Sequence, residues 1–259
     1  MYYLIKNFFY ITALYFLRLV FPKKRTVAYV QKNYDSERAK LLAYLKNTPF
    51  KDYIHGGEAI GYSLLGGKIT FGPFAKTLAN CQQNIEKKLM PYLKRGATII
   101  EFGCGDGRNL FYLKSKYPGV SFIGFELSEV SVDLATKASQ KYNIKVDFFK
   151  ADISKKIPSI KADAVFSCHA LEMMPRIFVG AVENMLQSSE NVLFFEPIED
   201  FWPFSLRGIV SRMRVKSLDR LTGLVDWLEE NARILDHQLL QDSLNPLNQT
   251  VYLSITRKK

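Results

Sequence analysis

From residue 97 to the C-terminus, short apolar runs alternate with stretches whose apolar residues recur at helical spacing. This alternation predicts a mainly parallel sheet with helices on both faces. Two final strand-like runs near residues 234–241 and 250–256 flank Asn245, Pro246 and Asn248, and therefore predict a closing hairpin. The parallel strands are predicted at residues 98–102, 121–125, 145–149, 164–167 and 191–195, and the clearest helices at 129–142, 176–187 and 219–233.

Before residue 97 the pattern is different. Residues 26–47 and 74–94 predict helices, whereas residues 54–73 are rich in glycine and predict a loop. We therefore divide the chain into a hydrophobic segment (1–25), a helical and Gly-rich cap region (26–73) and an α/β domain (74–259) with an insert or lid at about 197–220.

The first 21 residues contain 17 apolar or aromatic residues and are followed by Pro22 and a basic cluster at residues 23–25. No small-residue cleavage site follows, which disfavours a secretory signal. The 11 residues between Lys6 and Arg18 span only about 16 Å as a helix. The segment either lies in a membrane interface, or spans with Lys6 and Arg18 reaching opposite headgroup layers, or packs as a core helix. We expect membrane association, with the catalytic domain in the cytoplasm.

The net charge of +11 lies entirely in residues 1–95, which carry 16 Lys and Arg against 5 Asp and Glu. A basic region of this kind is typical of proteins that face the phosphates of lipid headgroups or nucleic acid. The three cysteines form no CxxC pair and favour free thiols in a reducing compartment. The histidines and cysteines show no metal-ligand spacing, so we expect no metal.

A glycine-rich turn follows the first strand of the α/β domain. The run Glu101-Phe-Gly-Cys-Gly-Asp-Gly107 has the spacing GxGxG, which differs from the GxGxxG of pyrophosphate-binding folds. Glycines allow a tight turn and a close approach of a ligand to the backbone. The carboxylate of Glu101 beside this turn would repel a pyrophosphate and suits a ligand that carries a cation.

Two further acids follow the next two strands. Glu126, 19 residues after Gly107, is placed to accept hydrogen bonds from the hydroxyls of a ribose. Asp152, with the apolar neighbour Ile153, could hold an adenine amine and pack against its ring. In open α/β sheets, ligands bind at this carboxyl edge of the strands.

These residues resemble class I S-adenosylmethionine-dependent methyltransferases over roughly residues 74–259. The resemblance implies a Rossmann-like doubly wound seven-stranded sheet, mostly parallel with a C-terminal antiparallel hairpin, to which this chain adds an N-terminal helical extension. It implies S-adenosyl-L-methionine as the cofactor. The cofactor-binding positions that it suggests are Glu101, Gly103, Cys104, Gly105, Glu126, Leu127, Asp152, Ile153 and Cys168.

The segment after the fourth strand lines the methyl-transfer site in this family, and here it contains Cys168, His169 and Glu172. It has neither the D/N-P-P-Y/F/W run of amino methyltransferases nor the Pro-Cys nucleophile of cytosine-C5 enzymes. Methyl transfer depends mainly on alignment, and a base is needed only if the acceptor must lose a proton. His169 is the predicted base and Glu172 a second catalytic candidate that would orient it or the substrate.

The insert contains aromatic residues at 201–204, and then a basic stretch in which Leu206, Ile209, Val210 and Met213 share a helical face. This pattern fits an interfacial membrane element or an ordinary packed helix. The sequence thus predicts a membrane-associated methyltransferase acting on an oxygen or nitrogen of a small or amphiphilic, lipid-like acceptor. The alternatives are an RNA methyltransferase, which we disfavour because no separate RNA-binding module is evident, and a catalytically silent binding protein. Neither the acceptor nor the oligomeric state is predicted.

Overall fold

The computed structural model describes residues 2–21, 27–158, 160–174 and 178–258, with only the backbone given for 27–30, 33 and 34. The basic cluster at residues 23–25 and the predicted start of a helix at residue 176 lie outside the described residues. The helices are α1 (Tyr2–Val20), α2 (Val27–Tyr44), α3 (Phe50–His55), α4 (Phe74–Leu89), α5 (Arg108–Lys116), α6 (Glu129–Tyr142), α7 (Phe178–Ser188), α8 (Leu206–Ser217) and α9 (Leu224–Asn231). The strands are β1 (Ile60–Leu65), β2 (Lys68–Pro73), β3 (Thr98–Phe102), β4 (Ser121–Glu126), β5 (Asp147–Lys150), β6 (Ala164–Cys168), β7 (Val192–Glu196), β8 (Ala232–Leu239) and β9 (Val251–Arg257).

The large sheet has seven strands in the order β5-β4-β3-β6-β7-β9-β8. The strands from β5 to β7 are parallel, and β9 is antiparallel to both of its neighbours. The predicted α/β architecture, with its Rossmann-like doubly wound sheet and its C-terminal antiparallel hairpin, is therefore confirmed. The strand order reverses between β3 and β6, and ligands bind at such a point in open α/β sheets.

The core lies on both faces of this sheet. Along β7, Leu193 and Phe195 join one buried cluster, whereas Phe194 joins the other. Successive side chains of a strand point to opposite faces, so a strand that is covered by helices on both sides is apolar throughout. This explains the continuous apolar runs from which the central strands were predicted.

The glycine-rich stretch at residues 54–73 is not a loop, and that prediction was wrong. It contains the antiparallel hairpin of β1 and β2, in which Gly66 and Gly67 form the turn with φ values of +56° and +79°. Two consecutive residues with positive φ match the twist of a two-residue hairpin. Leu64 is fully buried and pairs through its backbone with Ser243, which fixes the hairpin to the β8–β9 connection.

Helix α1 packs along α8, which forms the helical part of the predicted insert at about 197–220. Ile11 is buried with Val210 and Leu247, and Phe8 and Met213 pack around them. Among the described residues, α1 is a helix long and apolar enough to cross a membrane, and 6% of it is buried inside the protein. One such helix is weak support for a membrane span, because a signal sequence passes the same test.

Candidate active site

The turn after β3 depends on glycine. Gly103 and Gly105 have φ values of +75° and +54°, a region that costs L-residues roughly 1–2 kcal/mol. A Cβ atom on Gly103 would lie 2.3 Å from the Cβ of Ala170, which no packing arrangement tolerates. At Gly105 the neighbouring space is open, with Arg38 Nη2 at 4.0 Å. The turn therefore lets the chain pass close to Ala170 and leaves room for a ligand beside Gly105.

Glu101 is buried at the end of β3. Its Oε1 accepts a hydrogen bond of 2.8 Å from the Asn109 amide, whereas its buried Oε2 has no partner among the described residues. Burial raises the pKa of Glu101 to about 8, against the opposing effect of the Asn109 hydrogen bond. A cationic group placed beside Oε2 would supply the missing partner and favour the charged carboxylate.

Glu126 ends β4, and both of its oxygens face the backbone of neighbouring turns. Oε2 accepts from the Gly105 amide at 2.9 Å, and Oε1 accepts from the Ser128 amide at 2.9 Å. Burial raises the pKa of Glu126, against these two hydrogen bonds. A carboxylate has about four lone-pair positions, so Glu126 can hold the glycine turn and still accept hydroxyl groups.

Asp152 follows β5 and forms a local turn. Its Oδ1 accepts from the hydroxyl and the amide of Ser154 at 2.6 and 3.1 Å, and Lys155 lies 3.2 Å from Oδ2. Burial opposes ionisation, but the contacts with Ser154 and Lys155 outweigh it and lower the pKa of Asp152. Asp152 therefore stays a carboxylate, with Ile153 buried beside it.

These groups line one cavity of about 460 Å³ at the carboxyl edge of the parallel strands. The cavity brings together every site residue that the sequence predicted, and their individual roles stay predictions. Its lining includes Glu101, Gly103, Cys104, Gly105, Glu126, Leu127, Asp152, Ile153, Cys168, His169 and Glu172.

His169 stands after β6 with a φ of +53°, which is unusual for a residue with a side chain. Its Nδ1 lies 3.1 Å from Glu172 Oε1, and its Nε2 lies 2.8 Å from the hydroxyl of Thr250. The carboxylate fixes the proton on Nδ1, so neutral His169 accepts from Thr250 through Nε2. Burial opposes protonation of His169, but Glu172 and Glu196 outweigh it and raise its pKa.

Glu172 is held by a buried polar network. Besides His169, it contacts Arg220 and the Asn248 amide through Oε2. Burial opposes its ionisation, but Arg220 and the hydrogen bonds outweigh that effect and lower the pKa of Glu172 to about 2. Glu172 is therefore ionised at neutral pH and lies beside His169; its predicted role of orienting His169 or the substrate stays a prediction.

Sequence reasoning missed a buried acid next to the turn that carries His169. Glu196, at the end of β7, accepts from the backbone amides of Ala170, Leu171 and Glu172 at 2.9, 3.1 and 3.2 Å. Burial raises the pKa of Glu196 to about 7. Glu196 thereby holds the turn that carries His169, and its place at the end of the fifth predicted strand was the available signal.

Sequence reasoning also missed residues that no local pattern indicates. Thr250, Arg220 and Asn248 reach the cavity from segments far along the chain. From the N-terminal side, helix α2 contributes Gln31 and Arg38, and Arg38 lies 3.7 Å from the Asp106 carboxylate.

Replacing Glu172 with Gln should reduce the free energy of unfolding at neutral pH by about 3 kcal/mol, because Arg220 loses its buried counter-charge. The pKa of Glu172 is lowered on folding, so its stabilisation is complete above the usual pKa of 4.5 and is lost as the pH falls toward 2. Urea unfolding at pH 7 and at several lower pH values measures both effects. The variant should lose less stability than the wild type on acidification.

The matched control is Asp133→Asn, which removes an exposed ion pair with Lys137 on α6. Such pairs contribute at most about 1 kcal/mol. Equal stability of Glu172→Gln and wild type at pH 7 would contradict the assignment of the buried network.

Burial and the nearby acids raise the pKa of both Cys104 and Cys168 well above the usual value. Both therefore remain thiols at neutral pH, and Cys168 lacks the thiolate character of a nucleophile. Across the described part of the chain all three cysteines are free. Within the same residues, no group of three or more His, Cys, Asp or Glu side chains is arranged to hold a metal ion.

Comparison with known proteins identifies the fold. Residues 99–190 match the family model described as a methyltransferase domain. The chain has the fold of class I S-adenosylmethionine-dependent methyltransferases. No curated protein sequence matches it significantly.

Three solved structures illustrate the methyltransferase fold. The [4+2]-cyclase SpnF shares 15% identity with a TM-score of 0.61, over 91% of this chain and 97% of that one. Magnesium protoporphyrin IX methyltransferase from Synechocystis shares 15% identity with a TM-score of 0.53, over 85% and 99%. The N-methyltransferase NodS from Bradyrhizobium japonicum shares 11% identity with a TM-score of 0.53, over 70% and 87%.

The last two structures contain S-adenosyl-L-homocysteine. A cyclase and two methyltransferases share this fold, so the fold alone does not determine the reaction. The side chains of the site determine the reaction.

Proposed function

We propose that this protein is a membrane-associated S-adenosylmethionine-dependent methyltransferase, which methylates an oxygen or nitrogen of a small or amphiphilic acceptor. The observation that carries the proposal is the buried Oε2 of Glu101 beside the turn of Gly103 and Gly105, which has no partner within the described part of the chain. This arrangement fits a ligand that combines a cation with a compact shape. A pyrophosphate ligand would instead leave this oxygen without a cationic partner, and the carboxylate of Asp152 would repel it.

The residues present fit S-adenosylmethionine. Glu101 would hold its cationic methionine part, Glu126 its ribose hydroxyls, and Asp152 with Ile153 its adenine. When bound, this cofactor supplies an electrophilic methyl group on a positively charged sulfur. The chain's contribution is to align the acceptor with that group and to receive the acceptor's proton.

The proton path runs through Thr250. Both ring nitrogens of His169 have protein partners, so an acceptor does not reach His169 directly in this arrangement. Neutral His169 accepts the hydroxyl proton of Thr250, which leaves the Thr250 oxygen free to accept a proton from an acceptor hydroxyl or amine. The proton of the acceptor thus moves to Thr250 while the Thr250 proton moves to His169, and Glu172 stabilises the resulting imidazolium.

The remainder of the cavity favours an amphiphilic acceptor. Its wall beyond the glycine turn is largely apolar and is interrupted by polar groups near His169. The apolar lining residues there are Leu78, Ile85, Phe195, Leu240 and Leu244. Asp242 is also part of this wall, and it is held by the amides of Gly66, Asn80 and Asn84. A molecule with an apolar body and a polar reacting group matches this lining.

Helix α1 supports the membrane association. One face packs on α8, while Tyr2, Phe9 and Tyr10 are 73%, 69% and 66% exposed. Aromatic side chains are favoured at the membrane–water interface. Because α1 is held along α8, we propose that it lies in the plane of the interface and does not span the membrane. The free cysteines fit the proposed cytoplasmic location of the catalytic domain.

Radiolabelled S-adenosylmethionine incubated with the protein and a lipid extract should transfer its methyl label to the organic-solvent-soluble fraction. Glu101→Leu should abolish transfer, because it removes the buried carboxylate and leaves an apolar side chain of similar size. Calorimetry with S-adenosylhomocysteine should show micromolar or tighter binding for the wild type only. Binding without label transfer to lipid, metabolite or RNA extracts would support a silent binding protein, and label in RNA alone would support the RNA methyltransferase.

A further inference from the structure

Three segments that are distant in sequence expose apolar side chains on neighbouring surfaces. The segments are α1, the β1–β2 hairpin and the turn that leads into α8. Phe71 is 64% exposed on the hairpin, and Phe204 is 91% exposed before α8. The exposed apolar residues are Tyr2, Ile5, Phe9, Tyr10, Phe16, Leu17, Leu19 and Val20 on α1, Ile60, Tyr62 and Phe71 on the hairpin, and Phe204, Leu206 and Ile209 at α8.

Direct contacts join the three segments. The rings of Tyr3 and Tyr62 lie 4.5 Å apart, which joins α1 to the hairpin, and Tyr62 contacts Phe71 at 4.9 Å. The cluster around Ile11 and Val210 joins α1 to α8. We call the exposed residues of these three joined segments, α1, β1–β2 and residues 204–217, the aromatic face.

The charged residues of the aromatic face are all basic. Helix α1 carries Lys6 and Arg18, and the hairpin carries Lys68, whereas none of the three elements contains Asp or Glu. Lys6 and Lys68 are exposed. Exposed aromatic and basic residues without acids complement the headgroups of anionic lipids.

The aromatic face is attached to the acceptor end of the cavity. Residues 240–250, which connect β8 to β9, pack against the face through Leu247 and hold the hairpin through Ser243. The same connection lines the cavity with Leu244, Asn248 and Thr250, and Leu244 is 40% exposed. One stretch of chain therefore borders both the aromatic face and the site of the proposed proton path.

We infer that the aromatic face docks on an anionic lipid bilayer and that the acceptor reaches the cavity from that bilayer past residues 240–250. The docking rests on the proposed membrane association and extends it to a defined surface, and the second part rests on the proposed methyltransferase activity. A second copy of the chain is the competing occupant. It is disfavoured because a two-fold contact would bring two acid-free, basic surfaces together without compensating charges.

Flotation of the full-length protein with vesicles tests the docking without any cofactor. The protein should bind vesicles of phosphatidylcholine and phosphatidylglycerol in equal parts, and should bind much less to phosphatidylcholine alone. Phe71→Ser and Phe204→Ser should each weaken binding about tenfold or more, because each variant loses the free energy gained when a phenylalanine side chain moves from water into the bilayer. Lys68→Gln should weaken binding about fivefold on the anionic vesicles only.

The matched control is Met90→Ser, since Met90 is 57% exposed and belongs neither to the aromatic face nor to the cavity lining. It should bind both kinds of vesicle as the wild type does. Unchanged flotation of Phe71→Ser and Phe204→Ser would overturn the proposal. A second result would also overturn it: the wild type binds neither kind of vesicle and sediments as a dimer, and the two variants sediment as monomers.

Calorimetry with S-adenosylhomocysteine on the same proteins separates this inference from the proposed function. Phe71→Ser and Phe204→Ser should retain the affinity of the wild type for this ligand, which also shows that they are folded. A wild type that floats but does not bind the ligand would contradict the proposed methyltransferase and leave the docking intact. A wild type that binds the ligand but does not float would contradict the docking and the proposed membrane association, and would leave the proposed methyltransferase activity intact.

Discussion

A Gly105→Arg variant is expected to bind S-adenosylhomocysteine at least about a hundredfold more weakly than the wild type, which corresponds to about 2.7 kcal/mol. Gly105 has a φ of +54°, and the space beside it is open as far as Arg38. An arginine side chain there enters the cavity, where Glu101 and Glu126 attract its guanidinium. It would occupy the position proposed for the cation of the cofactor. Titration calorimetry measures the affinity.

Gly223→Arg is the matched control for this variant. Gly223 has a similar positive φ of +73° and no neighbours within 4 Å of an added Cβ atom, and it is not among the residues that line the cavity. It should therefore show a comparable backbone strain and an unchanged affinity. Retained affinity in Gly105→Arg would place the cofactor elsewhere.

Turnover should fall about a hundredfold in His169→Ala, whereas the affinity for S-adenosylhomocysteine should stay within about twofold. The substitution removes the group that receives the acceptor's proton through Thr250. In the wild type the rate should rise with pH, because the base must be neutral. Since the pKa of His169 is raised, this rise should lie above the usual histidine value of 6.5. Label transfer measured across a pH series tests both statements.

His237→Ala is the control, because His237 is exposed and stacks on Phe201 at 4.3 Å, outside the cavity lining. It should keep full turnover and the same pH profile. Thr250→Val should lower turnover as His169→Ala does, and the double variant should be no worse than either single one. Full activity of His169→Ala would exclude it as the base.

The sequence predicted those parts of the site that depend on strand order alone. Glu101 and Glu126 lie at the carboxyl ends of β3 and β4, and Asp152 follows β5. Parallel strands bring their carboxyl ends to the same edge of the sheet. Local pattern was therefore sufficient to place them together. It could not show that Glu126 and Asp152 also hold neighbouring turns, since this depends on the backbone conformation.

The remaining site residues come from segments that are distant in sequence and meet only in the folded protein. Thr250 meets His169, and Arg220 meets Glu172, although the partners are 81 and 48 residues apart. No spacing rule connects such pairs. The β1–β2 hairpin was missed for another reason. Gly66 and Gly67 were interpreted as part of an irregular loop, although two adjacent glycines also form a two-residue hairpin turn.

The reversed direction of β9 has a consequence for how this protein could diversify. Because β9 runs against its neighbours, it begins at the edge where the parallel strands end. The connection ahead of it, which carries Asn248 and Thr250, can change in length without altering the register of any strand. Residues around the glycine turn would keep their geometry through such changes. In the proposed methyltransferase, insertions between β8 and β9 are thus a route to new acceptor specificity with the same methyl donor.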